Sequence, residues 1–195
     1  MSALQPSAAL AIIATCWIFR DLLERDPVTH VLIQLPLLAL AGAALASAVV
    51  PHHRQPASGW NAGGVPMLLL AIFTIAFWML PRMIDAALID DWVEFGKFIT
   101  VPGLIGMPLV LGWRQAHPLL RGFLKAQAIS MLGVMAFLYT HAPLRICNAY
   151  LVADQERLGL GFLAAAIALA IIWTVAVFTG QGQGSAIQNM QPTRP

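Results

Sequence analysis

The chain has 195 residues, a formal net charge of +2, only 10% charged against 59% hydrophobic residues, and a mean hydropathy of +0.76. Soluble domains carry about 25% charged residues, so a water-soluble fold of this length could not hide so much apolar surface. The small charge, spread over scattered Lys and Arg, excludes a nucleic-acid partner.

The apolar residues come in runs of about 16 to 23, the length that crosses a hydrocarbon core of ~30 Å, so the expected surroundings are a lipid bilayer. Six segments are expected, near 7–24, 28–50, 64–89, 91–113, 119–140 and 158–179. Together they predict an all-α, polytopic transmembrane helix bundle forming one domain. The first segment has no preceding Lys or Arg and no small-residue cleavage site, so it is expected to be retained. It is short and ends in Arg20, Asp21, Glu24, Arg25 and Asp26, which leaves a full span and a tilted interfacial helix both open. Arg20 with Glu24, and Asp21 with Arg25, have the i,i+4 spacing of solvated helix ion pairs.

Pro27 is well placed to begin the second segment. His30 and Gln34 lie four apart and share a helix face, and Pro36 behind them frees the Leu32 carbonyl. A histidine near the membrane surface with a hydrogen-bonding neighbour suits a metal, a haem or a proton; a satisfied packing histidine is the competing reading. Ala39, Ala43 and Ser47 form a small stripe that lets helices approach closely. The connection Pro51 to Gly64 (PHHRQPASGWNAGG) is rich in breakers, as an exposed loop should be, and holds His52, His53 and Arg54.

In the third segment Pro81 bends or ends the helix. Arg82 and Asp85 follow, three apart, either as an ion pair closing a helix end or as functional intramembrane charges. Met79 with Met83, and Met131 with Met135, are i,i+4 thioether pairs; soft sulfur selects Cu(I), although methionine in apolar helices commonly fills space. His141 ends the fifth segment and Cys147 follows it. Residues 180–195 lack apolar periodicity and are expected to be a disordered tail.

Threading six spans alternately places all nine carboxylates, within 20–27, 82–97 and 141–157, at one membrane face. The expected location is the cell inner membrane, multi-pass, with both termini cytoplasmic and the acidic face outside. Trp60, Trp92 and Trp113 near span ends, with Tyr139 and Tyr150, fit interfacial belts. No zinc-protease, nucleophile-elbow or Walker motif is present, so a non-enzymatic role is expected.

Three stretches resemble the CtaG-type cytochrome oxidase assembly proteins, membrane proteins associated with copper supply to the oxidase. They are His30 to Gly42 (HVLIQLPLLALAG), the Pro81-Arg82 helix, and Asp154 to Gly159 (DQERLG). The resemblance implies a copper-linked or oxidase-linked membrane role; the expectation is an accessory protein with a partner in a respiratory or copper-containing membrane complex, either holding Cu(I) at the outer face or acting by interaction alone. His30 would be the principal ligand, helped by His141, Cys147 or Met83; Arg82 and Asp85 would shape the site with Gln34, and Asp154 with Gln155 would position the last loop. The alternative is a haem b or quinone-linked electron-transfer subunit with His30 and His141 as axial ligands. A small transporter would need charges at the midplane, whereas these gather at one face.

Overall fold

Apolar runs bounded by prolines and charged clusters become helices throughout the computed structural model, which describes residues 4–50, 59–141 and 152–179. Among these, every regular element is helical. Helix α1 is Leu4–Ile18, followed by a single helical turn, Arg20–Leu23. Helix α2 is Pro27–Val49, α3 is Ala62–Trp78, α4 is Pro81–Ile89, α5 is Asp91–Gln115 and α6 is Pro118–His141. Helix α7 is Val152–Phe178. The all-α bundle read from the sequence is thus the architecture. The tail 180–195, Cys147, His52, His53 and Arg54 lie outside the described residues.

Among the described residues four helices, α2, α5, α6 and α7, are long and apolar enough to cross a membrane, and the bent pair α3 and α4 makes five if it forms one span. The expected count of about six is met only if α1 is added, and its apolar part, Pro6–Ile18, is shorter than the others. A helix of that length rises only about 20 Å. The third segment, read as one run over 64–89, is broken: α3 and α4 diverge by 69°. Pro81 at the first turn of α4 cannot donate a backbone hydrogen bond, and Leu80 before it is extended at φ −66° and ψ 127°, the region a residue before proline prefers.

Two proline-linked irregularities shape the centre. In α2 the turn His30–Gln34 is π-helical, with the Leu35 amide bonded to the His30 carbonyl, and Pro36 follows. In α5 the turn Val101–Gly106 is π-helical, with the Met107 amide bonded to the Pro102 carbonyl, and Pro108 follows. Proline lacks the N–H that would satisfy the carbonyl four residues back, and the widened turn absorbs the mismatch. Between them α2 and α5 touch backbone to backbone. A Cβ on Gly42 would overlap the Pro102 carbonyl, and one on Gly106 would overlap the Ala39 carbonyl beside Ala43. The small stripe Ala39, Ala43 and Ser47 is therefore the seam it was expected to be.

Cys16, Leu35, Leu38, Trp78, Phe98 and Val101 form one buried core joining α1, α2, α3 and α5. A second core, with Val31, Ile84, Tyr139, Leu158 and Phe162, ties the hairpin α6 and α7 to α2 and α4. Elsewhere α6 and α7 expose Phe123, Phe137, Ile171 and Phe178 among others, and only 11% of each apolar window is covered by the protein. Exposed apolar faces of this extent belong to a membrane protein.

Candidate functional site

The polar residues with the deepest burial converge where the turn Arg20–Leu23, the start of α2 and the start of α5 meet. Lys97, wholly buried, lies six residues into α5, about 9 Å along the axis at 1.5 Å per residue. Its ammonium makes an ion pair with Glu24 Oε1. It also lies 3.4 Å from Gln34 Oε1 and 3.4 Å from His30 Nε2. Gln34 Nε2 donates to Glu24 Oε1 at 2.9 Å, which closes the ring of contacts. An ammonium has three donors, and here carboxylate, amide oxygen and imidazole nitrogen surround it. With the ammonium donating, His30 Nε2 is the acceptor and its ring proton sits on Nδ1.

One turn before Lys97 stands Glu94, also buried. Its Oε2 accepts from Arg20 Nη1 at 3.2 Å, while its Oε1 is buried with no partner among the described residues. Arg20 also stacks over Trp17, 4.8 Å from the ring centre, and Trp17 meets Phe98 edge to face at 4.9 Å. These aromatics close the network against the apolar core. Two carboxylates and two cations balance, which is how ionised groups are tolerated out of water. The π-helical turn places His30 and Gln34 side by side over Lys97, and both are almost entirely buried.

The i,i+4 pairs expected at the end of α1 do not form as read. The backbone turn is formed, with the Glu24 amide bonded to the Arg20 carbonyl at 2.8 Å, but both side chains turn to distant partners. Arg20 reaches Glu94 and Glu24 reaches Lys97, although Arg20 Nε also lies 3.6 Å from Asp21. The sequence pattern did not single out Lys97. The signal that could have found it is its position inside an apolar helix, three residues beyond Glu94 and on the same face.

The other candidates have separate surroundings. His141 is exposed at the end of α6, stacked on Phe137 at 4.5 Å with Nδ1 2.8 Å from Thr140 Oγ1. Met83 lines an open apolar groove of about 470 Å³ with Phe73, Phe77, Trp78, Val93 and Leu104. Arg82 is exposed and Asp85 half-buried on α4. Asp154 lies 3.6 Å from Arg157, which also reaches Asp26 at 3.5 Å, and buried Gln155 donates to the Tyr139 carbonyl at 3.4 Å. These last contacts join the start of α7 to the start of α2 and the end of α6, so carboxylates from 20–27 and 154–157 do share one end of the bundle.

No three His, Cys, Asp or Glu side chains form a metal-holding group among the described residues. At His30, Nε2 faces the Lys97 ammonium at 3.4 Å. Neither is His30 paired with His141 in the manner of haem axial ligands, because one is buried against Lys97 and the other is exposed. What the arrangement does offer is a charge-balanced clamp on three chain segments. The chain matches no family model, no characterised protein and no solved structure.

Proposed function

We propose that the chain is a non-enzymatic accessory protein of a respiratory or copper-dependent membrane complex, set in the cell inner membrane with both termini cytoplasmic. The observation that carries the reading is the Lys97 ammonium seated among Glu24, Gln34 and His30. It fixes the start of the His30 to Gly42 stretch, one of the three that resemble CtaG-type proteins, as an internally satisfied structural end. The broad apolar faces of α6 and α7 are then available to a membrane partner, and the role is association with that complex, with no copper held at His30 while Lys97 is in place.

The test has three parts. Protein purified in mild detergent is examined by absorption spectrum and elemental analysis, and cells lacking the chain are examined for maturation of their copper-containing oxidase. Loss of mature oxidase in those cells, with less than stoichiometric copper and no haem on the purified protein, supports the proposal. Unimpaired oxidase sinks it. Stoichiometric copper that disappears in His30→Ala would restore the direct ligand role and overturn the structural reading of His30.

A further inference from the structure

The opposite end of the bundle carries cations and no acid. All nine Asp and Glu residues lie within 21–26, 85–94 and 154–156. Arg114, Arg121 and Lys125 sit where α5 ends and α6 begins. Arg114 is twenty residues beyond Glu94 on the same helix, about 30 Å away at 1.5 Å per residue. No side-chain carboxylate is within reach of these three.

Their internal partners are few. Arg114 is used structurally: Nη1 donates to the Val50 carbonyl at 2.7 Å and Nη2 to Ser47 Oγ at 2.9 Å, pinning the end of α2 to the end of α5. Arg121 donates from Nη2 to the Arg114 carbonyl at 3.4 Å, and its Nε is buried with no partner among the described residues. Lys125 is one turn further along the same face. Like charges at i,i+4 repel, and nothing anionic in the chain offsets that cost. Each cation instead lies against an indole, Arg121 5.9 Å from the Trp113 ring centre and Lys125 5.6 Å from that of Trp173. The two cations therefore share one face of α6, Arg121 beside an indole of α5 and Lys125 beside one of α7, each flanked by the residue type that marks the headgroup level of a bilayer.

We propose that this basic face of α6 binds the phosphodiester of an anionic phospholipid. A phosphate between Arg121 and Lys125 satisfies the guanidinium fork and removes the repulsion between them, while the acyl chains run along the exposed apolar faces of α6 and α7. Basic clusters at the ends of membrane helices attract anionic headgroups in this way. A soluble anion would lack the apolar half of the contact.

The test is native mass spectrometry of the full chain in detergent, titrated with phosphatidylglycerol or with phosphatidylcholine of identical acyl chains. Phosphatidylglycerol should be retained preferentially, and R121Q or K125Q should each weaken it about fivefold, the effect of one cation near an anionic headgroup. The charge-preserving R121K/K125R should keep most of the preference, and R25Q at the acidic end should leave it unchanged. Equal retention of the two lipids overturns the proposal. So does a full preference in R121Q/K125Q, or competition by millimolar inorganic phosphate as effective as that by lipid. If R121Q/K125Q does not fold, the two single variants decide.

Discussion

Replacing Lys97 by methionine tests the clamp directly, because methionine preserves most of the buried stem and removes only the charge. The Lys97 side chain has 0% exposure and that of Glu24 10%, so solvent screening does little to soften the loss. Removing one partner of a buried pair leaves the other charge uncompensated, at about 3–5 kcal/mol. Gln34 still donates to Glu24 at 2.9 Å, which places K97M towards the lower half of that range. The double variant E24Q/K97M leaves no net charge from this pair in the interior, and should recover to within about 2 kcal/mol of the parent. Reversible unfolding in mixed micelles, followed by tryptophan fluorescence as sodium dodecyl sulfate is raised, measures all four corners of the cycle. A K97M cost under about 1 kcal/mol, or a double variant whose loss equals the sum of the singles, would show that the pair does not hold this end together.

The seam between α2 and α5 predicts contrasting outcomes at two glycines. Gly42→Ala drives a methyl into the Pro102 carbonyl and should cost at least about 1–3 kcal/mol, whereas Gly96→Ala meets nothing within 4 Å and should be neutral or stabilising by up to about 1 kcal/mol; the same titration ranks them. Trp78→Phe removes the 3.0 Å bond from Nε1 to Thr100 Oγ1 and should cost about 1 kcal/mol, since the hydroxyl keeps its own bond to the Gly96 carbonyl at 2.7 Å. Arg157→Gln breaks contacts at 3.5 and 3.6 Å, but from a side chain 62% exposed. Its effect on thermal midpoint should correspond to less than about 1 kcal/mol.

The fold was legible where one physical requirement dominates. Crossing hydrocarbon demands long apolar runs with internally satisfied backbones, and the runs behind α2, α5, α6 and α7 are plain in the sequence. Pro81 announced the break in the third segment, because a missing N–H acts locally and needs no neighbour to be recognised. The angle of that break was not legible, since packing sets it. Nor was the final span count: the short run of α1 satisfies composition but falls below the length of the others.

The site was half legible for a related reason. His30 and Gln34 were found because four residues on a helix fix a shared face, and the freed Leu32 carbonyl hinted that the helix would be irregular there; the structure makes that turn π-helical. Their partner was hidden because Glu24 and Lys97 are 73 residues apart, and no periodicity links positions on different elements. Local spacing paired Arg20 with Glu24, and the backbone turn between them does form, with the Glu24 amide bonded to the Arg20 carbonyl at 2.8 Å, but the side chains take partners on α5. Both side chains reach across to α5, where Glu94 and Lys97 need counter-charges to remain ionised out of water. A buried cation in an apolar helix is thus a demand for an anion elsewhere in the chain. Here all the anions gather at one end, leaving the cations of the other end to find theirs outside the protein.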